Sequence, residues 1–176
     1  MKVVASGIDT LVIGFSIESY LDISSFEVLS DAKTKAAAKQ FDAKGCGVEW
    51  FGAEFNMMAR GAMGYEWVLR NGDVTVCIAR EARGGSIMPE VYVTFSSQNM
   101  WANGAEKAVM TFKRWLSKWA VIRNTKVSRA DLCVFPPSSR VSSFNPASRI
   151  KTTHRTFSML EAILDPLVLA FKLSCI

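Results

Sequence analysis

Between residues 7 and 134, apolar side chains fall at every second position in several separate runs. Leu11, Ile13, Phe15 and Ile17 share one parity in GIDTLVIGFSIE. Val74, Val76 and Ile78 do so in residues 73–80, and Val91, Val93 and Phe95 in residues 90–96. Successive side chains of a strand point to opposite faces, so each run has one face to bury. Residues 48–59 add a mixed, aromatic strand region. Residues 65–70 lead into Asn71-Gly72, which predicts a two-residue hairpin turn because both positions tolerate positive φ. A Gly84-Gly85 loop precedes the next strand, and VSRADLCVF at 127–135 supplies another. The pattern is a meander of antiparallel strands.

Helical periodicity is clearest over residues 105–122. Ala105, Ala108, Val109, Phe112, Leu116, Trp119 and Ala120 recur at the spacing of one buried helix face. The larger of these side chains each contribute roughly 1.5–3 kcal/mol of gross burial, enough to dock a helix on a sheet. Residues 24–44 form a second helical stretch, with Phe26, Leu29, Ala32 and Ala36 near helical spacing and Gly45 and Gly47 ending it. The expected fold class is α+β: an antiparallel sheet of about five strands with two helices packed on it.

After Phe135 the character changes. Pro136-Pro137 and a cluster of serines cannot continue a central strand, residues 135–160 carry Arg140, Arg149, Lys151 and Arg155 but no acid, and the last stretch is apolar without clean periodicity. The chain therefore divides into a domain over residues 1–134 and an irregular tail over 135–176, foreign to what precedes it. Charge divides in a similar way. Residues 1–100 carry nine Lys/Arg against twelve Asp/Glu, whereas residues 101–176 carry twelve against four. Such a basic half suits a polyanion partner, since clustered cations gain affinity by releasing counterions from phosphates. An ordinary basic surface accounts for the same numbers.

Several chemistries are excluded. Cys46, Cys77, Cys133 and Cys175 lack CxxC spacing, which argues against a zinc site or a disulfide framework and for a reducing, cytoplasmic compartment. Asp9 and Glu18 interrupt the N-terminal apolar residues, against a signal peptide. The apolar stretch from Met159 to Ile176 contains Glu161, Asp165, Pro166 and Lys172, too polar and too short for a membrane span. His154 is the sole histidine, so neither a His-pair metal site nor a Ser-His triad can form, and no glycine pair is followed by the Lys-[Ser/Thr] of a phosphate-binding loop.

Three segments taken together carry a resemblance: the opening strand GIDTLVIGFSIE, the block VYVTFSSQNMWANG with the helix AEKAVMTFKRWLSKW after it, and the strand VSRADLCV. In order and spacing they resemble the replication initiation factor family of rolling-circle plasmids and phages, the Rep-trans group, over about residues 5–134. The resemblance implies a sheet-based α+β nicking domain, a divalent metal (Mg or Mn) held by acids, and a tyrosine that attacks a DNA phosphodiester. A tyrosine nucleophile conserves bond energy in a phosphotyrosine link, and a metal polarises the scissile phosphate, so carboxylates must converge beside the tyrosine.

Residue by residue, the match is partial. The family strand reads R-x-D-hydrophobic-x-x-D. Asp131 matches its first acid and is the metal-ligand candidate, but Phe135 stands at the second acid's place. Four residues along a strand is an even step, so both positions share a face and a metal-facing acid is lost. The family's downstream R-[IL]-Y-x-K segment has no counterpart after Val134, and Tyr20, Tyr65 and Tyr92 all precede the Asp131 strand. No catalytic residue carries over, and Tyr92, between Val91 and Val93, reads as packed on a sheet face. Loss of resemblance, loss of the acid and a shift in composition coincide between Val134 and Phe135, as a truncated or frameshifted reading frame would produce.

Lys113, Arg114, Lys118, Arg123, Lys126 and Arg129 are the DNA-binding candidates. A solvated helix face explains the first three, and contact with phosphates explains all six. Asp9 is a second, weaker metal candidate, since Asp is common near strand starts. Trp101, Trp115 and Trp119 could stack on bases, although helical spacing makes Trp119 a core residue and Trp115 a partly buried one. The leading expectation is rolling-circle replication initiation with nicking lost, the partner being origin DNA, duplex or single-stranded, with a homodimer allowed and no membrane involved. The alternatives are a non-catalytic DNA-binding or regulatory fragment and a protein-interaction domain.

Overall fold

The fold is taken from a computed structural model, which describes residues 5–38, 45–82 and 88–135. The tail beyond 135, with His154 and Cys175, lies outside the described residues. The chain runs β1 (Ala5–Tyr20), α1 (Phe26–Ala38), β2 (Cys46–Trp50), β3 (Ala53–Met57), β4 (Trp67–Arg70), β5 (Val74–Ile78), β6 (Val91–Phe95), α2 (Ser97–Asn103), α3 (Ala105–Leu116) and β7 (Ala120–Phe135). The α+β class holds, with one antiparallel sheet in the order β2-β3-β4-β5-β6-β1-β7. It has seven strands rather than about five, the aromatic region at 48–59 being itself a hairpin of two strands. Among the described residues no helix is long and apolar enough to cross a membrane.

The period-two runs become the inner face. Leu11, Ile13, Phe15, Ile17, Val76, Ile78, Val91, Val93 and Phe95 all join one core cluster. Against them lie Phe26, Leu29 and Ala32 of α1, and Ala108, Val109, Phe112 and Leu116 of α3. Phe112 meets Phe15 and Phe95 at ring-centroid separations of 5.5 and 5.7 Å. Aromatic rings fill the other end of this layer, where Trp119, wholly buried, packs on Trp50 at 4.6 Å and Phe26 stacks on Trp67 at 5.0 Å.

Three boundaries differ from expectation. The helix expected over 105–122 stops at Leu116, and a short turn delivers the chain into β7 at Ala120. The β-branched pair Val121 and Ile122 follows at once, which suits a strand better than a helix end. Trp119 is therefore buried from a turn, not from a helix face. Second, α2 is a third helix within SSQNMWANG, too short to show a period, with the Ser96 hydroxyl accepting from the Asn99 amide as its N-cap. Third, the turn at Asn71-Gly72 is centred one residue later. Asn71 occupies its first position, its side-chain oxygen accepting from the Asp73 and Val74 amides at 3.0 and 2.9 Å, and Gly72 does not take a positive φ. Two turns have positive φ at both central residues: Phe51-Gly52, at φ 50° and 73°, joining β2 to β3, and Met63-Gly64, at φ 50° and 81°, between the bridged Ala62 and Tyr65.

The β1–β7 ladder carries four irregularities. Asp9 and Glu18 are the extra residues on β1, and Arg123 and Ser128 on β7, so each 16-residue strand is bulged twice. β7 is an edge strand: among the described residues nothing pairs with its outer side.

Candidate nucleic-acid interface

All three helices contribute to the inner cluster, and the opposite face of the sheet is sided by parity. Residues paired across an antiparallel ladder point the same way. Following the pairs from Gly47 gives one row across the whole sheet: Gly47, Asn56, Arg70, Thr75, Thr94, Val12 and Arg129. Each alternates with a core residue, so the row lies on the helix-free face. The next row reads Val68, Cys77, Tyr92, Gly14 and Lys126.

These rows differ in access. The second is partly roofed. Tyr65 packs with Val68, Cys77 and Ala79, stacks on Tyr92 at 6.1 Å, and donates its hydroxyl to the Pro89 carbonyl at 2.8 Å. The Pro89 ring lies over Gly14, where a Cβ would sit 2.6 Å from its Cγ, so only glycine admits it. In the first row Gly47, Asn56, Arg70 and Arg129 are exposed, Thr75 and Thr94 half-buried, and Val12 buried. Arg70 and Arg129 are four strands apart, roughly 19 Å at a 4.8 Å strand spacing.

The six cations marked in the sequence fall in two places. Lys113 and Arg114 belong to α3 and Lys118 to the turn after it, where its ammonium donates to the Phe51 carbonyl at 3.2 Å. Burial lowers the Lys113 pKa. Lys126 and Arg129 lie on the opposite face, and Arg123 sits in a bulge of β7. The structure thus brings Lys126 and Arg129 together and sets α3 apart from them. Arg70 joins them on the helix-free face. The signal for it was the parity of 65–70, in which Arg70 alternates with the buried Leu69.

Asp131 is held by Arg129, whose guanidinium meets both carboxylate oxygens at 2.8 Å. That bond, and the carboxylate charge after it, push the arginine further toward its charged form. Asp9 is engaged elsewhere, accepting from the Ser97 hydroxyl at the start of α2. Among the described residues no three His, Cys, Asp or Glu side chains converge as a metal set. Position 135 pairs with Ala5 and continues the β7 ladder without a bulge on its own strand, which keeps it on the parity of Asp131. The tyrosine hydroxyls of Tyr20 and Tyr65 donate to the carbonyls of Ala79 and Pro89. Trp115 is half-buried and Trp119 buried, both within the inner aromatic layer, while Trp101 is exposed on α2 and rests on Gly7.

A cleft of about 810 Å³ opens between α1 and the ends of β1 and β5, floored by Tyr20, Phe26 and Trp67. Its rim sets Glu18, Glu27 and Glu81 against Arg80 alone, which disfavours a polyanion there. No family model, curated protein or solved structure matches the chain.

Proposed function

We propose that this domain binds DNA in the manner of a rolling-circle replication initiator, in the cytoplasm, and holds the strand without cutting it. One observation carries the reading: a row on the helix-free face with exposed arginines toward both ends, Arg70 and Arg129, half-buried hydroxyls of Thr75 and Thr94 and the buried Val12 between them, and Lys126 beside Arg129. Guanidinium and ammonium groups take phosphate oxygens, threonine hydroxyls add neutral donors, and neither reads base identity. The loss of cutting rests on the sequence departure at Phe135 and on the prior engagement of Asp131 and Asp9. The resemblance to replication initiators supplies the biological role.

Anisotropy of a labelled origin-like duplex and of a single strand, titrated with the full chain at several salt concentrations, tests the reading. With the charge of Arg129 balanced by Asp131, Arg70 and Lys126 set the log–log salt slope on duplex, which is expected near −2. Absence of binding, or binding indifferent to salt, would refute it. Supercoiled plasmid incubated with protein and Mg²⁺ or Mn²⁺ is expected to stay closed, and metal-dependent nicking would overturn the claim of a non-cutting domain.

A further inference from the structure

We infer that Arg129, held by Asp131, reads the major-groove edge of a guanine. That role rests on the DNA reading above and differs from the phosphate contacts made by the other cations. The contact between the two side chains is side-on: Nε donates to one carboxylate oxygen and Nη2 meets the other, both at 2.8 Å. A guanidinium carries five N–H donors in one plane, so its far edge, one N–H of Nη1 and one of Nη2 lying parallel, is left for another acceptor. Both side chains remain accessible, at 60% and 36% exposed. In the major groove only guanine presents two adjacent acceptors, O6 and N7; adenine sets a donor beside its acceptor, and thymine a methyl group. Asp131 fixes the plane of the fork and cancels its charge. A cancelled charge gains little from a phosphate, whereas a fixed pair of donors matches guanine. Arg70 differs, since among the described residues no carboxylate holds it.

The pair also sits where a groove can reach it. Seven strands at a 4.8 Å spacing are roughly 29 Å across, too broad for a major groove about 12 Å wide, which admits two strands. β7 is the outermost strand, and at Asp131 only β1 lies beside it. β1 pairs with β6 from Leu11 to Phe15, so Thr10, opposite Asp131, has no partner on β6. The rim of the sheet, there two strands wide, can enter a groove that excludes the whole face. Lys126, on the same face of β7, is left for the flanking phosphates.

Anisotropy of the full chain with three labelled duplexes of equal length, built only from G·C, inosine·C or A·T pairs, tests this. Inosine keeps O6 and N7 but lacks the minor-groove amino group of guanine. The inosine duplex therefore shares its major-groove acceptors with G·C and its minor groove with A·T. Wild type is expected to bind the G·C and inosine duplexes alike, and A·T roughly 5- to 150-fold more weakly, as one bidentate contact provides. Arg129→Lys keeps the charge and loses the fork, so the preference is expected to fall below about twofold at an unchanged salt slope. Asp131→Ala frees the guanidinium to turn to phosphate. It is expected to tighten binding to all three duplexes and steepen the slope by about 1, with the same loss of preference. Equal binding of the three duplexes by wild type overturns the inference and leaves the DNA reading standing, whereas no binding to any of them takes both down. An inosine duplex that behaves as A·T overturns it as well, because the minor groove would then be what is read. So does a preference that survives in either variant.

Discussion

Glu90 offers the sharpest test of how the sheet is closed. The β1–β6 ladder ends at Phe15 and Val91. Two residues further, Ile17 would look to Pro89, whose carbonyl is taken by the Tyr65 hydroxyl. The Ile17 amide instead donates to Glu90 Oε2 at 2.9 Å, both residues being 1% exposed. A side chain thus replaces the missing rung of the ladder. Glu90→Ala leaves that amide buried without an acceptor, a cost of about 1–3 kcal/mol, and adds a small void. We expect a loss of about 2–3 kcal/mol. Glu90→Gln keeps a carbonyl oxygen in place for the Ile17 amide and is expected to cost less than Glu90→Ala. For a chain of this length, Tm should fall by roughly 4–12 °C in the alanine variant. Urea unfolding followed by tryptophan fluorescence gives both values at an unchanged m, and amide exchange should speed up at Ile17. If glutamine proves as damaging as alanine, the acceptor is not what matters. If alanine is neutral, the replaced-rung argument fails altogether.

Four further outcomes follow. Gly14→Ala drives a methyl into the rigid Pro89 ring, and an overpacking loss of about 1–3 kcal/mol should appear in thermal unfolding. Glu49 and Glu54 are exposed and directly opposed on β2 and β3, so Glu54→Lys should raise stability by a few tenths to about 1 kcal/mol in urea unfolding. Lys126→Ala should reduce the magnitude of the DNA salt slope by about 1, while Lys113→Ala on the helix face leaves it unchanged; equal effects would contradict the assignment of faces. Burial pushes the Cys77 thiol pKa up, against a smaller downward pull from Arg70. At pH 8, where a raised pKa leaves less thiolate, iodoacetamide should modify Cys77 much more slowly than the less buried Cys46, as peptide mass mapping would reveal.

Local periodicity made much of this fold legible. The parity of Leu11, Ile13, Phe15 and Ile17 named the buried face of β1, and Phe26, Leu29, Ala32 and Ala36 named that of α1. What stayed hidden depends on distant partners. That β7 begins at Ala120 is decided by its pairing with Tyr20, one hundred residues away. The six cations look continuous in sequence because a helix and a strand follow one another closely. The turn after α3 carries β7 to the sheet edge, and strand parity then turns Lys126 and Arg129 to the face opposite α3. Asp131 was visible as an acid, but not that Arg129, two residues back on the same parity, would already hold it. Glu90 gave no signal at all, since a glutamate before a strand usually reads as a solvated residue.

The paired bulges of β1 and β7 bear on how this chain tolerates change in length. Each strand has two looped-out residues, so the offsets cancel and the ends still meet, Ala5 with Phe135 and Tyr20 with Ala120. Deleting Ser128 would remove one such loop while Val127 and Arg129 kept their partners Ile13 and Val12 and their inward and outward directions. Deletion of a paired neighbour would instead ask the nearest bulge to slide along and absorb the gap. Insertions and deletions of single residues, usually ruinous in a strand, have four places here where the ladder can take them up.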